Sequence, residues 1–273
     1  MKLAPAGPAR ARSASSRRPF VELKDLSMAY DLAADGRLLA LDRVGCAIAE
    51  SEFCAIVGPS GCGKSTLLML TAGLYHPSAG QVVIDGRPVT GPWTGVGMVF
   101  QRDLLLEWRT VLENVLLPIE VKRLPRSEFG DRARSLLRLV GLAGFEKAYP
   151  DQLSVGMRQR VGICRALIHD PSLLLMDEPF ASVDLLTREK LGLDLLRLTT
   201  EHPKTVLFVT HSVEEAVLLS DEVVVLSPRP GRILQRFAND VPKPRSLTSR
   251  SDPRFHRLVD EIRAVFQAAG VLS

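Results

Sequence analysis

Gly58-Pro59-Ser60-Gly61-Cys62-Gly63-Lys64-Ser65 is the stretch from which the rest of this 273-residue chain is read. It fits the pattern G-x-x-x-x-G-K-[ST], and its flanks give the pattern mechanical meaning. The apolar run Phe53–Val57 precedes it and predicts a buried strand. Ser65–Ala72 follows and predicts the first turns of a helix. Strand, glycine-rich loop and helix in that order form a cradle for phosphate. Gly58, Gly61 and Gly63 let backbone N–H groups turn inward, and the helix start adds about half a positive charge. Lys64 is expected to reach the terminal phosphates and the Ser65 hydroxyl to hold Mg²⁺. The plain alternative is a glycine-rich turn with no ligand.

Composition bounds what surrounds this loop. Hydrophobic residues make up 46% of the chain, enough for a large core in one or two domains. The formal net charge is +4, but Lys2, Arg10, Arg12, Arg17 and Arg18 all lie in residues 1–18, which hold no acid. The body is therefore slightly acidic, which argues against a nucleic-acid partner. Residues 1–18 are rich in Ala, Pro, Ser and Arg and are expected to be a disordered tail, solvated or drawn to an acidic lipid surface. No run is long and apolar enough to predict a membrane span. Cys46, Cys54, Cys62 and Cys164 lack metal-ligand spacing, which suits a reduced, cytosolic chain.

Other polar groups sit where apolar runs end. Val96–Phe100 predicts a strand ending at Gln101, which suits either a Mg²⁺ ligand or a surface glutamine. Ser172–Met176 leads into Asp177 and Glu178. Asp177 at that tip is expected to bind Mg²⁺ through water, and Glu178 to act as general base on an attacking water. Lys204–Thr210 predicts a further strand, with His211 at its end. Ligands of such sheets bind off the carboxyl ends of the strands, so the three tips are expected to converge. Tyr30, upstream of the loop, fits either stacking on a purine ring or a half-buried place in a sheet.

The remaining segments are placed more coarsely. Phe20–Leu23 predicts a strand, and Leu38–Ile48 predicts two short ones. Residues 110–150 predict helices broken at Pro118 and Pro125. Leu104–Trp108 puts apolar bulk into a loop, which fits a partner-binding surface or a local core. Ser154 predicts an N-cap for the helix through Leu167, and a capped start is also an anion site. Ile233–Phe237 predicts an edge strand. Pro242–Pro253 predicts a linker, and Phe255–Ala269 an amphipathic helix docked on the body.

Taken together, residues 20–237 resemble the ATP-binding subunits of ABC transporters. The resemblance rests on Gly58–Ser65 (Walker A), Gln101 (Q-loop), Leu153–Arg160 (signature), Leu173–Glu178 (Walker B), Ala181–Asp184 (D-loop) and His211 (H-loop), in the family's order. Gly58–Thr66, Trp108–Val111, Gly156–Val161, Leu173–Phe180 and Leu207–His211 look like the branch that imports nitrate, sulfonates and taurine, and Met157 agrees with it. The resemblance implies an α/β P-loop NTPase (ABC ATPase): a RecA-like mixed sheet core, an N-terminal antiparallel β region and an inserted helical subdomain. Its expected bounds are an ATPase domain at 19–240, the helical subdomain near 102–168, and a linker with a terminal helix at 241–273.

The resemblance also implies roles. ATP is expected on Tyr30 and on Gly58, Pro59, Ser60, Gly61, Cys62, Gly63, Lys64, Ser65 and Thr66, with Mg²⁺ on Ser65, Gln101 and Asp177. Glu178 and His211 are expected to be catalytic. Ser154, Gly156 and Asp184 are expected to act in trans, from a second copy paired head to tail. Integral membrane permease subunits and, indirectly, a substrate-binding protein are the other implied partners, at the cytoplasmic face of the membrane. An ABC-type ATPase serving a non-transport process is the alternative. Val155 stands where the family usually has Gly. It is expected to reduce but not abolish hydrolysis compared with Val155→Gly, by crowding the phosphate or forbidding a positive φ, although a helical backbone there would tolerate it.

Overall fold

The computed structural model describes residues 18–32, 36–181 and 183–271. Of the basic tail only Arg18 falls among them, and Ser182 of the Ala181–Asp184 turn lies outside them. Two sheets organise the chain. The first is antiparallel, in the order β2-β1-β4-β5, from β1 (Pro19–Leu32), β2 (Gly36–Ala49), β4 (Ala79–Ile84) and β5 (Arg87–Pro88). The second has the order β10-β9-β3-β8-β7-β6. It is built from β3 (Phe53–Val57), β6 (Val96–Val99), β7 (Leu173–Asp177), β8 (Thr205–Thr210), β9 (Glu222–Leu226) and β10 (Ile233–Ala238). All its pairs are parallel except β10 with β9 at the edge.

The central strands are apolar throughout because both faces are covered. In β3, Phe53, Ala55 and Val57 join one core, while Cys54 and Ile56 join another. The same alternation divides Val206 and Phe208 from Leu207 and Val209 in β8. One core fills the space beneath α2 (Val111–Val121), α3 (Arg126–Leu139), α4 (Val155–Leu167), α5 (Leu185–Glu201), α6 (Val213–Leu219) and α7 (Pro253–Ala268). The other lies between the two sheets, around α1 (Lys64–Thr71). Burying each Leu, Val or Phe contributes about 1.5–3 kcal/mol, so the parallel sheet is the stiff frame from which the strand ends project.

Two expectations are corrected, and the backbone at Val155 is settled. Leu38–Ile48 is not two runs: it lies within the single 14-residue strand β2. Asp25 and Arg43 take positive φ (50° and 48°) where the β1–β2 register shifts, and these irregularities interrupt the alternation. Pro118 does not end a helix; it lies inside α2. Val115, Leu116 and Ile119 around it are fully buried or nearly so. A capping box between Thr110 and Glu113 secures the start of α2, so packing overrides the missing N–H. Val155 is the first residue of α4 and is not among the positive-φ residues, so its backbone is helical and the branched side chain meets no φ penalty.

The carboxyl-terminal third is docked. Phe255, Leu258, Val259, Ile262 and Phe266 of α7 are buried, against α6 among others. The stretch before α7 is held too: the buried Arg245 donates from Nη1 to the Ser220 carbonyl and from Nε to the Val241 carbonyl. All four cysteines are free and buried.

Candidate nucleotide site

Residues 58–63 bend between β3 and α1 because two glycines adopt the left-handed region, Gly61 at φ 75° and Gly63 at φ 99°. Gly63 also meets β2: a Cβ there would lie 2.6 Å from Leu41 Cδ2. Gly63 caps α1 without a side-chain hydrogen bond, and the first turn of α1 holds no acidic residue. The N–H groups of that turn thus have no side-chain acceptor, and together with the helix dipole they favour an anion. Lys64 Nζ donates to the carbonyls of Gly58 and Pro59, both at 3.0 Å. It is nearly fully buried at 5% exposure and lies 3.7 Å from Glu178 Oε1.

The carboxyl end of β7 supplies the acids. Glu178 takes positive φ (44°), a conformation that costs a non-glycine residue about 1 kcal/mol or more. It is held there by its N–H, which donates to the Val209 carbonyl at 2.9 Å. The kink aims Glu178 back toward Lys64 on one side and His211 on the other, with Glu178 Oε2 3.2 Å from His211 Nδ1. The chain on either side of His211 is held: Thr210 Oγ1 accepts from the Ser212 N–H at 3.0 Å and donates to the half-buried Glu215 at 2.7 Å. Burial pushes the Glu215 carboxyl up, and the Thr210 hydroxyl and the Arg188 charge pull against that. Asp177, at 7% exposure, is pushed up by burial as well, while a hydrogen bond from Ser65 opposes the shift.

These groups surround a cavity of about 380 Å³. Of the residues expected from sequence, Ser60, Gly61, Gly63, Lys64, Ser65 and Thr66 line it. So do Tyr30, Gln101 and Glu178. Asp177 meets Ser65 and His211 meets Glu178 without forming the wall. Tyr30 places its hydroxyl 3.0 Å from Thr66 Oγ1 and sets its ring at 85° to that of Tyr75, with centroids 6.4 Å apart. Ser154, Gly156 and Asp184 are not brought to this cavity. Ser154 caps α4, accepting from the Met157 N–H at 3.3 Å, and Asp184 caps α5, accepting from the Thr187 N–H at 3.0 Å. Both are exposed, whereas Gly156 is buried, and a Cβ on it would lie 2.7 Å from Thr187 Cγ2. The two helix starts therefore sit side by side.

Sequence reading missed two things. Leu38, Ala40 and Arg229 also line the cavity. Arg229 was readable only as part of a turn, although it follows a core strand just as Gln101 and His211 do. The loop after Gln101 is also tied to α4, by Arg158 Nε to Asp103 Oδ2 at 2.9 Å and by Arg165 to the carbonyls of Asp103 (2.6 Å) and Leu104 (2.7 Å). Burial lowers the Arg165 pKa, with Asp103 opposing the shift.

A glycine-rich loop at a helix start, a buried lysine, and a carboxylate paired with a histidine, gathered at one cavity, suit a phosphorylated ligand. The sequence model of the ABC transporter family matches residues 41–181. A taurine import ATP-binding protein of Burkholderia thailandensis is 50% identical over 225 residues, 81% of this chain and 86% of that one. A protein of the same name from Rhizobium johnstonii is 45% identical over 250 residues, 89% and 95% of the two chains. An uncharacterized ABC transporter ATP-binding protein of Methanocaldococcus jannaschii is 51% identical over 213 residues, 78% and 80%. Among solved structures, a dimeric ATP-binding cassette in a post-hydrolysis state with ADP and Pi superposes with a TM-score of 0.72. It is 34% identical, over 80% of this chain and 98% of the other.

The chain belongs to the ABC transporter ATP-binding family. It has the ABC ATPase fold, binds ATP and is an ATPase. The names of its relatives fit the nitrate, sulfonate and taurine branch. Among the described residues no helix is long and apolar enough to cross a membrane.

Proposed function

We propose that this chain is the ATP-hydrolysing subunit of an importer for a small anion or organic solute of the nitrate, sulfonate or taurine type. The observation that carries the reading is the linked row Lys64–Glu178–His211 beside the glycine loop, at 3.7 and 3.2 Å. Lys64 would hold the terminal phosphates. Glu178 would take a proton from the attacking water, oriented by His211. Tyr30 would contact the base, and residues 58–66 would bind the phosphates. Mg²⁺ would fit Ser65, Asp177 and Gln101: these are oxygen donors, and among the described residues no group of three His, Cys, Asp or Glu could cage a metal on its own. That chemistry suits an ion shared with substrate phosphates and water, which would neutralise charge developing on the transferred phosphoryl group.

The other half of the site would come from a second copy, paired head to tail. The exposure of Ser154 and Asp184, with Val155, Leu185 and Leu186 (41%, 65% and 77% exposed) beside them, supports this. Ser154 and Gly156 of one copy would face the phosphates held by the other, and Asp184 would link the two sites. Integral membrane permease subunits, working with a substrate-binding protein, would dock on the loop after Gln101, where Leu104 (52%) and Trp108 (74%) stand in solvent. The chain would then lie peripherally on the cytoplasmic face of the membrane. In complexes reconstituted with the permease, Glu178→Gln is expected to retain ATP, to trap a closed dimer and to lower turnover by about 10²–10⁴-fold. Wild-type turnover in that variant, or failure of the wild-type chain to copurify with membrane proteins, counts against the proposal.

A further inference from the structure

Arg229 has no part in the account above, yet it forms part of the wall of the same cavity as Lys64 and Glu178. It lies just past β9, in Ser227-Pro228-Arg229-Pro230-Gly231, at the carboxyl end of a core strand, where sheets of this kind take their ligands. The segment is braced from both sides. The Ser227 hydroxyl lies 2.8 and 2.9 Å from the carbonyls of Pro228 and Pro230, and it accepts from the Arg232 N–H at 3.0 Å. The Gly231 N–H donates to the Ala40 carbonyl at 2.9 Å, and the Asp42 N–H returns to the Gly231 carbonyl at 3.0 Å. Gly231 also abuts the phosphate loop, since a Cβ there would lie 2.1 Å from the Cys62 carbonyl oxygen. Arg229 is thus carried on a segment tied to the loop that binds the phosphates.

Its charge is unspent. Arg232 is paired with Asp42 at 2.9 Å, and Arg236 with Glu222 at 2.9 Å. Arg229 is exposed and has no acidic partner among the described residues. Meanwhile the Lys64 ammonium lies 3.7 Å from the Glu178 carboxylate. Beside Lys64 and Mg²⁺, a multiply charged triphosphate still attracts a further cation. A guanidinium offers it two parallel donors in the geometry of a phosphate edge.

Resting on the ATPase reading, we propose that Arg229 is a second cationic contact for the phosphates of the bound nucleotide, reaching from the solvent side while Lys64 reaches from the buried side. The test is titration of the full chain with ATP and ADP, comparing wild type, Arg229→Ala, Arg229→Lys and Lys64→Ala, with thermal melts to confirm equal folding. Arg229→Ala is expected to raise both dissociation constants about tenfold, with the gap narrowing as salt is raised. Arg229→Lys is expected to recover part of the loss, and KM for ATP to rise while kcat changes little. Wild-type affinity in Arg229→Ala, alongside lost affinity in Lys64→Ala, overturns the assignment and leaves the ATPase reading standing. Unchanged affinity in Lys64→Ala overturns both.

Discussion

Asp177 sits where ionisation is disfavoured. Burial raises its pKa, so the folded state binds a proton there more readily than the unfolded chain does. Above that raised value folding bears the cost of desolvating the carboxylate. As pH falls through the raised value toward the ordinary carboxylate range near about 4, that cost is relieved. Asp177→Asn is therefore expected to melt above wild type at pH 7, with the difference shrinking toward pH 4, while Mg²⁺-dependent hydrolysis is lost. A lower melting temperature at pH 7 contradicts this. The residue type and place of Asp177 were legible because a strand of four buried apolar residues ends there. The positive φ of Glu178 was not, because it depends on the Val209 carbonyl of a neighbouring strand. Arg229 escaped notice for the same reason: its surroundings come from β2 and from the phosphate loop, far away along the chain.

Helix starts carry the next level of organisation. α4 and α5 begin side by side because Gly156 leaves room for Thr187, whose branched side chain cannot swing far. Gly156→Ala is expected to destabilise the chain by about 1–3 kcal/mol through overpacking, despite the better helix propensity of alanine. Thr187→Ala in the same chain should restore most of that, as urea denaturation would reveal; strict additivity of the two changes removes the explanation. Element boundaries read from sequence were accurate where a local signal ends them. The prediction over Phe53–Val57 coincides with β3, and that over Lys204–Thr210 differs from β8 only at its first residue. They failed where packing overrules local preference, as at Pro118 in α2, and where bulges disturb the alternation, as in β1 and β2.

At the scale of the whole molecule, the proposed pairing makes a distinctive prediction. Lys64→Ala and Ser154→Ala chains should each be nearly inactive alone. If each site takes Lys64 from one copy and Ser154 from the other, mixed dimers keep one intact site. Mixing the two inactive chains with the permease subunits should then restore up to about a quarter of wild-type turnover, since transferring phosphates respond strongly to donors supplied in trans. No recovery on mixing argues that both residues serve the same site within one chain. The individual strands were legible from their apolar runs, whereas their division into two sheets was expected only through the family resemblance. The seam between the sheets was not, because it is made by single contacts such as the bridge between Leu41 and Gly231.

That seam bears on how the molecule comes to be competent. The groups around the cavity run from Tyr30 to Arg229, and neither sheet owns them all. No excised fragment of the chain should retain nucleotide, and a newly made chain should acquire it only once its two layers have closed on each other. Capture of ATP is thus a readout of finished folding.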